Sequence, residues 1–234
     1  AAAGRASVKA GAIRNARRML FIAVERVYAP AMRTALLPIA FALVVSIPGT
    51  GYAQLSPSAS WAAHAANQYR VVPDLTYLTA SNYESKLDIY ARRDVTTPQP
   101  TLVYFHGGFW AAGTKEGSLM SLIPWMEMGW NVVNVEYRLA RVAPAPAAVE
   151  DCLCALRFLA TQAKTYNIDV NRIVTMGESA GGHLALTSAM IPESAGLDRQ
   201  CAGATPVPAV AAAINWFGVT DVNDVIDGPN RANA

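Results

Sequence analysis

Gly177-Glu178-Ser179-Ala180-Gly181 sets a serine midway between two glycines. It follows the apolar segment Arg172–Met176 and opens a helical stretch beginning near Ala180, so the serine falls on a strand-to-helix turn. A hydroxyl that attacks a carbonyl must stand exposed on such a turn, which is too sharp for side chains at Gly177 and Gly181. The helix N-terminus behind Ser179 favours the negative charge that develops during acyl transfer. A second cluster, His106-Gly107-Gly108-Phe109-Trp110, directly follows the apolar run Thr101–Phe105. Two glycines after a strand make at least a turn.

A serine nucleophile needs a base and an acid, and the chain offers few. His106 belongs to the glycine loop and is expected to hold it by hydrogen bonds. His183 lies four residues after Ser179, inside the helix leading away, and reads as structural. His64 has no motif around it. Among acids, Glu178 sits beside the nucleophile with its side chain pointing away, Asp151 braces its helix, and Asp221 follows the last strand as a minor candidate for the triad acid. Trp110, Trp125 and Trp130 read as core or pocket walls.

The elements around these residues alternate. Leu75–Thr79 and Lys86–Tyr90 read as short strands, the second alternating as a half-exposed edge strand does. Thr101–Phe105, Asn131–Val135, Arg172–Met176 and Val210–Trp216 are apolar runs of strand length. Between them lie helical stretches around Glu116–Met128, Ala147–Ala163 and Leu184–Ile191. Helices between apolar strands imply right-handed crossovers and a mostly parallel sheet with helices on both faces, an α/β fold.

The 234 residues fit one domain, and a 53% hydrophobic fraction with 15% charged residues excludes a disordered chain. A net charge of +2, much of it upstream of the globular part, excludes a phosphate-gripping surface, so no nucleic acid is expected. No metal-ligand spacing appears, and no cofactor is expected. Cys152 and Cys154 are two apart on a predicted helix and face apart, so they do not bridge each other. One of them could pair with Cys201, or all three serve as buried core. Residues 35–47 form an uncharged apolar run behind Arg33, too short to span a bilayer, and Gly51-Tyr52-Ala53 has the small-x-small form that signal peptidase accepts. This predicts a signal peptide over residues 32–53, export, and no stable membrane span after cleavage. Residues 1–31 then form an upstream, non-native extension, and an uncleaved membrane anchor is the alternative. Residues 54–70 read as a loose leader, and 71–234 as the folded domain.

The chain resembles the α/β-hydrolase carboxylesterases and lipases that carry an HGGG-type loop, the hormone-sensitive-lipase-like and feruloyl-esterase-like branch. The residues that carry the likeness are LDIY (87–90), VYFHGGFW (103–110), VVNVEYRLA (132–140), AAVEDC (147–152) and GESAGGHLAL (177–186). The resemblance implies that Ser179 attacks an ester carbonyl of a small-molecule substrate. It implies that the N–H groups of Gly108, Phe109 and Ala180 hold the oxyanion while Gly107 makes room for the turn. Phe109 stands where many relatives carry a third glycine, and this aromatic also resembles the loop of kynurenine formamidases. Arylformamidase-type amidase activity is therefore one alternative, and a catalytically dead binding module another. In this fold the triad runs Ser, then Asp or Glu, then His. The residues after Ser179 hold one further clear strand and His183 alone among histidines. The sequence is thus expected to be a C-terminally incomplete hydrolase, inactive and aggregation-prone by itself, whose continuing reading frame supplies the acid and the base.

Overall fold

The computed structural model describes residues 56–228. The expected extension at 1–31, the signal segment at 32–53 and residues 229–234 lie outside them. Six strands form one sheet in the order β1-β2-β4-β3-β5-β6. They are β1 (Tyr69–Ala80), β2 (Tyr83–Arg92), β3 (Gln99–Phe105), β4 (Asn131–Val135), β5 (Ile168–Glu178) and β6 (Ala212–Trp216). The first two pairings are antiparallel, and β4, β3, β5 and β6 run parallel. The helices are α1 (Pro57–Gln68), α2 (Leu119–Glu127), α3 (Ala147–Thr161), α4 (Ala180–Met190) and α5 (Val222–Ile226).

Alternation along the parallel strands feeds two cores. Val103, Phe105, Val133, Val135 and Ile173 face α3 and α4, meeting Cys152, Leu156 and Leu184. Leu102, Tyr104, Val132, Val174 and Met176 face the other way, onto Leu122 and Met126 of α2. The chain leaves β3 for β4 on one side and reaches β5 on the other. This makes the carboxyl ends of β3 and β5 a switch point, where open α/β sheets place their sites. Phe105 pairs with Gly177 there, and Glu178 with Trp216.

Several local expectations are corrected. Within the supposed loose leader, residues 57–68 form α1. Ser56 caps it by accepting from the Ala59 N–H at 3.2 Å, and Pro57 takes the first turn, where its missing N–H costs nothing. Arg93 closes the far end by donating to the carbonyls of Asn67 and Ala66 at 2.6 and 3.0 Å. Alanines dominate α1 and none of its residues is fully buried, so no apolar period marked it. β1 is longer than expected, and β2 is no edge strand but lies between β1 and β4. Its polar Asp88 is buried because Lys115 lies over it. The helix expected from Glu116 begins instead with a 3-10 turn, Lys115–Ser118, before α2.

All three cysteines are buried in the core, and two of them are bridged. Cys154 of α3 bonds Cys201 in the long α4–β6 connection, and Cys152 stays a buried thiol. Arg157, one turn further along α3, pairs with Asp198 of the same connection. No described helix is long and apolar enough to cross a membrane.

Candidate active site

Ser179 follows β5 and caps α4 at φ 50°, a left-handed backbone costly for a side-chain-bearing residue and tolerated where the surroundings hold it. Its N–H donates to the Trp216 carbonyl at 2.9 Å, and its own carbonyl accepts from His183 N at 3.1 Å. The flanking glycines are a packing necessity. A Cβ on Gly181 would stand 2.0 Å from the Phe105 carbonyl oxygen, and one on Gly177 2.5 Å from the same atom.

The loop after β3 turns through three left-handed residues, Gly108, Phe109 and Trp110. Gly108 is the position that demands glycine, because a Cβ there would fall 2.1 Å from the Ala112 carbonyl oxygen. At Gly107 the clearance to the Glu178 carbonyl would be 3.0 Å, so both glycines make room, Gly108 the more strictly. The Gly108 carbonyl accepts from Ala111 and Ala112, and Ala140 N donates to the Trp110 carbonyl at 2.7 Å. The N–H groups of Gly108, Phe109 and Ala180 have no hydrogen-bond partner among the described residues. Donors left open beside a serine at a helix N-terminus can receive a negative oxygen. Phe109 needs no replacement by glycine for this, since its exposed ring packs on Trp110. A cavity of about 250 Å³ adjoins the loop, lined in part by Phe109, Trp110, Pro146, Val149 and His183.

The structure brings none of the three histidines to the Ser179 hydroxyl. His183 turns Nδ1 to the Val219 carbonyl at 3.0 Å and sets its ring edge-on to Trp110. His64 is exposed on α1, beside the opposite edge of the sheet. His106 is buried against Tyr137, with ring centres 4.4 Å apart, and Tyr137 donates to its carbonyl at 2.8 Å. The acids are likewise engaged. Asp151, fully buried, accepts from Ser85 and from Arg138 N and Nε, tying β2 and the β4–α3 loop to α3. Asp221 caps α5 by accepting from Asn223 N at 2.9 Å. Glu178 lines a cavity of about 460 Å³ on the α2 side, with Tyr104, Trp125 and Trp216. Trp125 and Trp130 pack edge-on in that layer. Among the described residues no cluster of His, Cys, Asp or Glu has the makings of a metal site.

Sequence reasoning missed the polar cluster that holds the loop's far end. The Lys115 ammonium is buried among Asp88 at 2.9 Å, Asp74 at 3.1 Å and Glu116 at 2.8 Å. Burial opposes its charge, but the hydrogen bonds it donates to Glu116, Asp88 and Asp74 outweigh it and raise its pKa. The hydrogen bond from Lys115 holds the Glu116 carboxyl down to about 2. Lys115 N donates to Glu136 at 2.7 Å, and its carbonyl accepts from Asn134 at 2.6 Å. Burial pushes the Glu136 carboxyl up. The usable signal was Asp88, an acid inside an otherwise buried strand, which needs a cation opposite it.

A parallel sheet with a serine elbow at its switch point, faced by a glycine loop from the neighbouring strand, defines an α/β-hydrolase. Within that class the chain belongs to the BD-FAE family, whose model matches residues 87–233. Lipase 2 of Moraxella sp. (strain TA144) is 38% identical over 93 residues, 38% of this chain and 21% of that one. Hormone-sensitive lipase of Homo sapiens is 31% identical over 119 residues, 50% of this chain and 11% of the lipase. The chain thus spans well under half the length of these curated relatives. Among solved structures, the propionate-bound esterase Est2 of Thermogutta terrifontis is 26% identical with a TM-score of 0.56, covering 65% of this chain and 55% of that one.

Proposed function

We propose that this protein hydrolyses carboxylic esters of small molecules through an acyl-Ser179 intermediate. The observation that carries the reading is the strained Ser179 set beside the unengaged N–H groups of Gly108, Phe109 and Ala180. In this reading Ser179 Oγ attacks the ester carbonyl as a base takes its proton. The carbonyl oxygen becomes the oxyanion held by those N–H groups, and collapse expels the alcohol with that proton. Water then attacks the acyl-serine, releasing the acid and restoring the hydroxyl. No described histidine serves as the base, so the reading assigns that role, and the acid behind it, to residues outside 56–228.

The relatives named lipase and esterase support the ester class. Formamide cleavage by the same steps is the second reading, favoured by the aromatic Phe109-Trp110 pair at the loop. Turnover of p-nitrophenyl acetate against N-formylkynurenine separates the two. Export is part of the proposal, supported by the Cys154–Cys201 bridge, since disulfides persist in oxidising compartments. The test of mechanism is Ser179→Ala in the full-length protein, expected to lower kcat on the order of 10⁶-fold with the fold retained. A folded Ser179→Ala protein with undiminished turnover refutes the assignment.

A further inference from the structure

Beneath the glycine loop, His106 and Glu136 face each other in a way that calls for one more proton. His106 Nδ1 lies 2.7 Å from the Gly107 carbonyl oxygen. A carbonyl only accepts, so Nδ1 carries a hydrogen and donates it, which in a neutral ring leaves Nε2 a bare acceptor. Nε2 is sealed from solvent and has no hydrogen-bond partner. Opposite it, at 3.7 Å, stands Oε2 of Glu136, which already accepts the Lys115 N–H. An ionised carboxylate against a bare ring nitrogen sets lone pair against lone pair in a buried place. One proton between them removes the conflict, either on Nε2 as an imidazolium–carboxylate pair or on Glu136 as a carboxylic acid donor.

We propose that Glu136 is a positioning residue for the oxyanion loop, sharing one proton with His106 and so fixing the loop at both its His106 and its Lys115 end. The catalytic consequence rests on the acyl-transfer reading above, while the shared proton rests on the geometry alone. Burial favours an uncharged Glu136 carboxyl, which agrees with a proton held there. The groups that act on the pair are Lys115 and Glu116 from the 3-10 turn, Tyr83 from β2, itself acted on by Arg141, and Tyr137, stacked on the imidazole and itself acted on by Tyr104 and Cys152. As pH rises the shared proton leaves, the two acceptors oppose each other, and the loop loses its anchor. Activity therefore falls on the alkaline side, the opposite direction from the titration of a general base.

The test is ¹⁵N NMR of the imidazole rings in the full chain, with His106 assigned by removing the other two signals in His64→Gln and His183→Gln. The expected wild-type ring has Nδ1 protonated and Nε2 protonated or hydrogen-bonded at neutral pH. Glu136→Gln moves the Nε2 resonance at neutral pH, because the partner that shares its proton is gone, and Glu136→Asp restores it. On p-nitrophenyl acetate, Glu136→Gln lowers kcat about 10- to 100-fold at unchanged KM, less than the ~10²–10³ cost of deleting an oxyanion donor. An unprotonated Nδ1 in the wild type, or an Nε2 resonance that Glu136→Gln leaves in place, overturns the proposal even if activity drops. An Nε2 resonance that moves in a protein whose Ser179 turns over no ester upholds the shared proton and overturns the acyl-transfer reading.

Discussion

Replacing Lys115 by Met keeps an unbranched side chain in the buried slot and removes the ammonium from three carboxylates at once. Those carboxylates do not suffer equally. The Asp74 and Glu116 side chains are 63% and 67% exposed and return to water, whereas Asp88 is 9% exposed and stays stranded. Breaking a buried ion pair from one side costs about 3–5 kcal/mol. Asp88 still accepts the Asp74 N–H at 2.9 Å, which places the expected loss at the lower end, about 3 kcal/mol. Glu116, held down to about 2, contributes stability that is present above its unfolded value and lost only as pH falls through about 2. Solvent screening keeps that contribution small, so the deficit at pH 7 reports on the stranded Asp88. Urea unfolding followed by tryptophan fluorescence measures it, with Asp88→Asn in the Lys115→Met background recovering much of the loss. A deficit under about 1 kcal/mol at pH 7, or one that Asp88→Asn does not relieve, refutes the account.

Three further outcomes follow from the same structure. Phe109→Gly keeps the donor N–H and relieves a left-handed side-chain residue, so most activity on p-nitrophenyl acetate is expected to remain while acyl preference shifts; a loss of several orders of magnitude means the ring does more than line the adjoining cavity. Cys154→Ser opens a 47-residue loop, with an expected loss of about 3–4 kcal/mol in urea unfolding, and an equal midpoint for wild type and variant under oxidising conditions contradicts it. Edman sequencing of the exported protein is expected to start at Gln54, and a product that retains Met32 removes the signal-peptide reading.

The central parallel strands β3 and β4 were legible because both their faces are covered, so they read as apolar runs; Asn131–Val135 begins and ends where the sequence placed it. The N-terminal elements were harder for the converse reason. β1 alternates irregularly around register shifts between Val72 and Leu75 and between Thr76 and Leu78, so the sequence marked only Leu75–Thr79 of it. In β2, the polar residue that suggested an exposed face is buried by a cation 27 residues away in sequence, a distance at which no periodicity operates. The Cys154–Cys201 pairing was open for the same reason. Spacing excluded Cys152 with Cys154, but choosing between them required the side of α3 on which the α4–β6 connection passes.

The site shows where spacing stops being informative and contact takes over. Two glycine motifs separated by some seventy residues read as independent signals, yet in space they are one contact. Gly177 and Gly181 clear the Phe105 carbonyl, Gly181 also clears the His106 carbonyl, and Gly107 clears that of Glu178. The β3–β5 pairing that sets Phe105 against Gly177 brings the two backbones together, so the elbow and the loop each need small residues because of the other. Packing this close brings the backbones of the two segments together without side-chain help, and recognisable motifs suffice to find it. The buried supports of that arrangement, Glu136 under His106 and Lys115 over Asp88, carry no spacing signature. They are fixed by which strand lies beside which, and such residues emerge only once the sheet order is known.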